Sequence, residues 1–514
     1  MDATWLDRAI AQIAPRWGAQ RLAARIQFEA LRGYSAARTS RRTRGLRGTA
    51  GSGNAETEAD LPKLRYSARK LVRDNPYASA GLDVLVGYQV GTGITVRSNS
   101  GDERLDKLWN DAFAAWSRRC DAAGRLDFHG LTAQAARTRC ESGEVLGRHL
   151  ALSRAEARAR GLDVPYAVQV LEPDHLDPVT LRRETNIVQG IERDGWGRPV
   201  AYHLTDRHPG EPDLVSVMLS DVPRRIPAAE IMHLHRVHMA RPGQLRGVPD
   251  LAPVMTRLAA LDEFEDAIIE QAKISACLVA FTRSPAGGSL GPLEKPNADS
   301  TDAERRTTMA PGMIERLFPG EEVTMNQPPP MAGVDVLPRH TLRAIAAGLG
   351  LTYDLLTGDL TGANYSSLRA GRLTVRRTVE RDQWMMLIPL WVEPIARGFT
   401  RAAQLAGVLP ERMGEWPLEY GPPPFPFVDP LKDAMAIKAQ LRLGLLNWGQ
   451  AVAEAGWDPR QQVADIATWN AAHDAAEMVF DGDARRTGGS GQAQGSAEPA
   501  PEPAPVAATG DDDA

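Results

Sequence analysis

Between residues 165 and 240 the chain stops reading as helix and breaks into short β-type runs, and any fold proposed for it must accommodate that change. Tyr166–Leu171, Ile187–Ile191, Val200–Leu204 and Ile231–His235 are such runs, separated by turn pairs such as Asp194-Gly195 and Pro209-Gly210. On both sides the apolar spacing is helical. The expectation is an α+β chain, mostly helical, with short strands set among the helices.

Residues 3–31 read as an amphipathic helix interrupted at Pro15. A basic arm follows, with Arg38, Arg41, Arg42, Arg44 and Arg47 in a stretch without an acid, and then a Gly/Ser/Ala/Thr linker to about Asp60. From Leu61 the chain reads as folded. Asn75-Pro76 ends one helix and starts the next; a strand is expected at Ile94–Arg97 and helices at Glu103–Arg118 and Gly130–Gly143. After the β-rich region comes a helix over Asp250–Ser275, then short strands at Leu278–Thr282, Met313–Phe318 and Glu322–Met325. A long helix starts after Asn364-Tyr365-Ser366 and runs to about Leu405, kinked at Pro389 and Pro394 where backbone bonds are lost. Asp429-Pro430, Asn447 and Asp458-Pro459 each mark a helix start. Residues 484–514 are too rich in Gly, Ala, Pro and acids to bury a core.

Composition removes several classes of function. A net charge of -5 over 514 residues excludes a protein that grips nucleic acid with a globally positive surface. Three cysteines, Cys120, Cys140 and Cys277, in no C-x-x-C spacing, argue against a disulfide framework and a structural zinc site. Met1–Trp5 does not begin a signal peptide. The most apolar later stretch, Trp384–Ile395, is shorter than the ~20 residues of a membrane span and contains Pro389, Glu393 and Pro394. The expected protein is soluble and made in the cytosol.

Candidate chemistry is sparse. On one strand face, His233 and His235 suit metal ligation, and with an acid such as Asp174 they would suit a metal-dependent hydrolase or nuclease. Glu230 is the only carboxylate close by in sequence, so a polar strand face explains them better. Glu172, Asp174, His175 and Asp177 offer acid–base groups but read as a turn after a strand. Glu141 and Glu144, at a helix end, read as arginine partners. There is no phosphate-binding Gly-x-x-x-x-Gly-Lys loop, no Gly-x-Ser-x-Gly elbow and no His-Glu-x-x-His. No catalytic residue, metal or cofactor is assigned.

Two charge patterns say more. Asp262, Glu263, Glu265, Asp266 and Glu270 fall within nine residues of one helix, beside an apolar stripe of Leu258, Leu261, Phe264 and Ile268. They read as a solvated face or as an acidic wall that repels a polyanion. Arg369, Arg372, Arg376 and Arg377 recur along the long helix. They suit salt bridges to another element or subunit, or phosphate contacts.

Several segments together carry a family likeness: Leu71–Ala78, Val90–Ile94, Glu141–Glu144, Val170–Asp177, Asn186–Ile191, Arg241–Pro249, Leu342–Gly350, Leu355–Asp359, Asn364–Ala370 and Phe427–Lys432. In this order the sequence resembles the lambda-type portal family of bacteriophages from about Gly33 to Val479. The Pro285–Thr308 insertion and the tail after Gly482 look particular to this chain.

The resemblance implies a ring, normally of twelve copies, at one vertex of the phage capsid. Double-stranded DNA would be packaged and ejected through it. The implied partners are the large terminase subunit, the major capsid or scaffold protein and the head-completion proteins; no membrane is involved. Its implied layout is an N-terminal helix, arm and linker at 1–60, a wing at 61–249, a stem helix at 250–275 and a clip at 276–337. A returning stem element and tunnel loop would occupy 338–364, the kinked wing helix 365–428, a helical crown 429–481 and a disordered tail 482–514. The acidic helix would then face the channel. Thr357, Gly358, Asp359, Thr361, Gly362 and Asn364 would form a tunnel loop, adjustable through its glycines. The basic arm leaves open a different role, a minor head protein that binds DNA during assembly.

Overall fold

The computed structural model describes residues 14–17, 51–176, 186–211, 223–276, 280–283, 322–325, 335–362, 364–427, 429–480, 483 and 485–486. The basic arm, the strand expected at Met313–Phe318, Asp177, nearly all of the expected N-terminal helix and almost all of the tail lie outside them. The chain divides into two compact units, Met1–Asp60 with Arg241–Leu245, and Leu61–Ala240 with Arg246–Ala514. In the first, Asn54 donates to the Gly243 carbonyl at 2.8 Å and accepts from the Leu245 amide at 2.9 Å, while Arg241 meets Glu56 at 2.8 Å.

The second unit is built on small antiparallel sheets wrapped by helices. Strands β1 (Thr95–Ser98), β2 (Glu144–Ala151), β3 (Tyr166–Leu171), β4 (Ile187–Val188), β5 (Ile191–Arg193), β6 (Pro199–Leu204), β7 (Arg224–Pro227), β8 (Ile231–His235), β9 (Ala280–Arg283), β10 (Glu322–Met325) and β11 (Leu418–Gly421) follow in order. They pair as β3-β2-β8, β4-β5-β6-β7, β1-β11 and β9-β10. The run read as one strand at Ile187–Ile191 is a hairpin. Gln189 (φ 52) and Gly190 (φ 80) both enter the left-handed region, the geometry of a tight two-residue turn that matches strand twist.

Two apolar clusters hold this unit. One gathers Trp109, Phe113, Trp116, Trp391 and Phe399 around the β2-β3-β8 sheet. The other packs Leu258 and Leu261 of the acidic helix against Leu342, Ile345, Val375 and Val379. That helix spans Met255–Ala276, starting later than expected because Pro253 disfavours helical backbone at Ala252 and leaves a turn there. The long helix keeps going through both prolines. An α segment, Tyr365–Asp382, passes into a π segment, Gln383–Val392, and back to α at Glu393–Ala406. The wider π turn accommodates Pro389, which has no N–H to give to an ordinary α ladder.

Asn75, Asp429, Asn447 and Asp458 all cap helices with their side chains, as the sequence indicates. The C-terminal helices Pro430–Arg442, Trp448–Glu454 and Pro459–Ala475 bury no residue. They are tied down by polar contacts: Arg460 donates to Asp106 at 2.8 Å and Asn99 at 3.0 Å, and Arg97 meets Asp458 at 3.4 Å. Burial works against the Asp106 charge, but bonds from Ser100, Ser98 and Arg460 lower its pKa to about 2. Arg460→Ala should therefore make trypsin cut between residues 432 and 485 several-fold faster in low salt. In ~1 M salt, which screens the exposed guanidinium, the wild-type rate should approach the variant's.

Candidate functional site

Glu144 opens β2 directly after the helix Phe128–Ser142, and its side chain is 1% exposed. Its carboxylate is fully engaged. Arg65 pairs with one oxygen, and Arg246 Nε donates to the same atom at 2.7 Å. The Gly247 amide and His233 Nε2 each meet the other at 2.8 Å. Burial would raise the pKa of this group, but the Arg246 and Arg65 guanidiniums and the His233 bond hold it well below the usual carboxylate range. Arg246 also donates to the carbonyls of Gln189 at 2.9 Å and Pro173 at 3.3 Å. Glu141–Glu144, Val170–Asp177, Asn186–Ile191 and Arg241–Pro249 each contribute to this one clamp. Four segments that carry the family likeness thus meet at a buried charge cluster.

Gly143 makes the approach possible. Its φ is 88°, and a Cβ there would lie 2.5 Å from the Val248 carbonyl carbon. Gly143→Ala should cost about 1–3 kcal/mol, read as a lower urea midpoint, because neither backbone can give way.

A second ion-pair chain lies at the foot of the acidic helix. Asp250 accepts from Arg139 at 2.6 Å and pairs with Arg236 at 3.1 Å. Arg236 also donates to Asp382 at 2.8 Å, which accepts from Gln89 at 3.1 Å. This chain links the turn before the acidic helix to the end of the first α segment of the long helix.

The five acids of that helix do not form one wall. Asp262 accepts from Asn75 at 2.6 Å and is half-buried, and Glu265 is half-buried with a pKa raised by burial and by the Asp262 and Asp266 charges. Glu263, Asp266 and Glu270 are exposed, Glu270 beside Lys273 at 2.9 Å. Burying Leu258 and Leu261 turns these three outward.

Residues 357–362 are well tied. Asp359 accepts from the Thr361 amide at 2.9 Å, the Thr361 hydroxyl at 2.5 Å and Tyr353 at 3.0 Å. Gly358 (φ 69) and Gly362 (φ 78) have open space around them, so the left-handed backbone, not crowding, calls for glycine. Asn364 caps the next helix through the Ser367 amide at 2.8 Å. On that helix Arg369 bridges to Asp433 at 2.9 Å, and Arg376 to Glu380 at 2.6 Å while stacking on Phe425. Arg372 is half-buried and Arg377 exposed.

The histidine reading needs correction. His233 and His235 do share a face, with rings 4.3 Å apart, but the face is internal, with His235 buried and His233 bound to Glu144. The carboxylate beside them is Glu144 on the neighbouring strand, which sequence distance concealed. Asp174 is held by Arg69 at 2.5 Å. Among the described residues one group, Glu172, Asp174 and His208, has the spacing of metal ligands, and Arg69 already places its positive charge against both acids. Glu144 is an arginine partner, as its place at a helix end suggested, but nothing in the sequence pointed to Arg65 and Arg246 as its partners, or to the Arg236–Asp382 pair.

No helix among the described residues is long and apolar enough to cross a membrane. The family model described as phage portal protein, lambda family, matches residues 39–383. The probable portal protein of Halomonas phage phiHAP-1 is 27% identical over 455 residues, covering 83% of this chain and 84% of that protein. Portal protein B of Escherichia phage lambda is 22% identical over 202 residues, 36% of this chain and 38% of the relative. A solved structure described as the neck of an empty gene transfer agent particle, computed with C6 symmetry, is 15% identical, covers 78% of this chain and 94% of its own, and gives a TM-score of 0.43.

Proposed function

Because the chain belongs to the lambda family of phage portal proteins, and so has a structural role in the phage head, we propose that its copies close into a ring, normally of twelve, at one capsid vertex and pass double-stranded DNA during packaging and ejection. The large terminase, the shell or scaffold protein and the head-completion proteins would dock on it. Within this reading residues 61–249 form the wing, 250–275 the stem, 276–337 the clip and 429–481 the crown. Residues 357–362 form a braced loop beside the DNA. We assign no catalytic step to the chain.

The observation that carries the reading is the acidic helix, one flank buried on Leu258 and Leu261 and the other presenting Glu263, Asp266 and Glu270 to solvent. Within a screening length of ~8–10 Å, exposed carboxylates repel phosphate, so these acids repeated around a ring would pass DNA across a hydrated gap. Lysines in the same places would trade counterions with the duplex and hold it. Native mass spectrometry of the purified chain tests the ring: a closed oligomer near twelve copies is expected, and a monomer under every assembly condition would overturn it.

A further inference from the structure

Among the large apolar side chains of the described residues, Met413 at 100% and Trp196 at 97% are the most exposed. Both sit on braced turns. At the β5–β6 hairpin tip, the Asp194 carboxylate accepts from the amides of Trp196 at 2.9 Å and Arg198 at 2.8 Å. The Asp194 amide donates to the Arg198 carbonyl at 2.9 Å, and Gly197 (φ 85) closes the turn. One Asp194 oxygen thus takes both bonds inside the turn, and Arg198 stands exposed two residues from Trp196 with no acid partner among the described residues. The tip is an aromatic knob with a positive flank, held in place before any contact is made.

The second turn has the opposite character. Gln404 donates to the Pro410 carbonyl at 3.3 Å, folding 410–415 back over the end of the helix Glu393–Ala406, where Leu405 is also exposed. Arg412, itself exposed, lies over the Trp416 ring at 5.9 Å, and Glu415 pairs with Arg397 at 2.6 Å. Met413 and Leu405 remain as an apolar surface, with Glu411 as the exposed acid beside it and unpaired among the described residues.

We propose that the Trp196–Arg198 tip of one copy docks on the Leu405–Met413 surface of a second copy of this chain, with Arg198 meeting Glu411. The chemistry favours the match: a methionine thioether packs well on an indole, and Arg198 and Glu411, each without an ion-pair partner among the described residues, are of opposite sign. Because the two surfaces are different parts of one chain, the contact is heterologous, and repeated it propagates head to tail until the rotation closes. The inference rests on the ring reading of the preceding section and names an interface within it.

The test is ring formation by the full-length chain, read by sedimentation and negative-stain microscopy. Wild type must first form rings; if it does not, both the ring reading and this contact fall. Trp196→Ala and Met413→Ala should each lower the ring fraction at least tenfold at limiting concentration without changing the melting temperature. R198E and E411R should each weaken assembly, and the double variant R198E/E411R should restore it. Rings that survive Trp196→Ala, or a charge-swapped double variant no better than its parents, would overturn the contact while leaving the ring in place.

Discussion

Glu144→Ala should be the most damaging single substitution in residues 61–249. It leaves Arg65 and Arg246, buried with only 6% and 4% of their side-chain surfaces exposed, without their shared counter-charge, and strips the acceptor from His233 and the Gly247 amide. Breaking a buried ion network by removing one member costs about 3–5 kcal/mol, against a total stability of about 5–15 kcal/mol for an ordinary domain. Urea unfolding should show a large drop in midpoint, or no folded protein at all. Glu144→Gln, which keeps the shape but not the charge, should fall between. The same group sets a pH dependence. Its folded pKa lies below the unfolded value of about 4.3, so the unfolded chain takes up the proton first. The contribution is complete above that value and is lost as pH falls through the folded pKa, so wild type should lose stability below pH of about 4 more steeply than Glu144→Gln.

Reversing the charge of the solvent-facing acids should have the largest effect on function. With Glu263, Asp266 and Glu270 all changed to Lys, every copy in a ring would present three cations where it presented three anions. The folded subunit should tolerate this, because all three side chains are exposed and the Leu258 and Leu261 contacts are untouched. DNA should not slide as before. Each neutralised phosphate makes binding more salt-dependent, with a slope approaching -0.9 per contact. Packaged DNA per head should fall more than tenfold at physiological salt and recover partly as salt rises. The triple change to Gln removes repulsion without adding grip and should have a smaller effect. Normal packaging by the Lys variant would show that these residues do not face DNA.

Features governed by neighbours along the chain were legible before the structure. A side chain that caps a helix lies within three residues of its partner, so Asn75, Asp429, Asn447 and Asp458 announce their helices. β3, β8 and β10 begin and end where their apolar runs do. What the chain brings together from afar was not legible. Glu144 and Arg246 are 102 residues apart, Arg236 and Asp382 146, and nothing local marks them as partners. The acidic run showed its charge but not its facing. Only the packing of the helix separates Asp262 and Glu265, turned half inward, from the three acids left in solvent. The glycines of residues 357–362 suggested an adjustable loop, whereas Asp359 braces it with three hydrogen bonds.

On the ring reading, the exposed flank of the acidic helix would line the DNA conduit. Cryo-electron microscopy of the assembled protein at side-chain resolution tests it most directly. The expected result is a closed ring in which Glu263, Asp266 and Glu270 of every copy point into the central hole. A ring whose hole is lined by other residues, with these three acids on its outer surface or buried between copies, would contradict it.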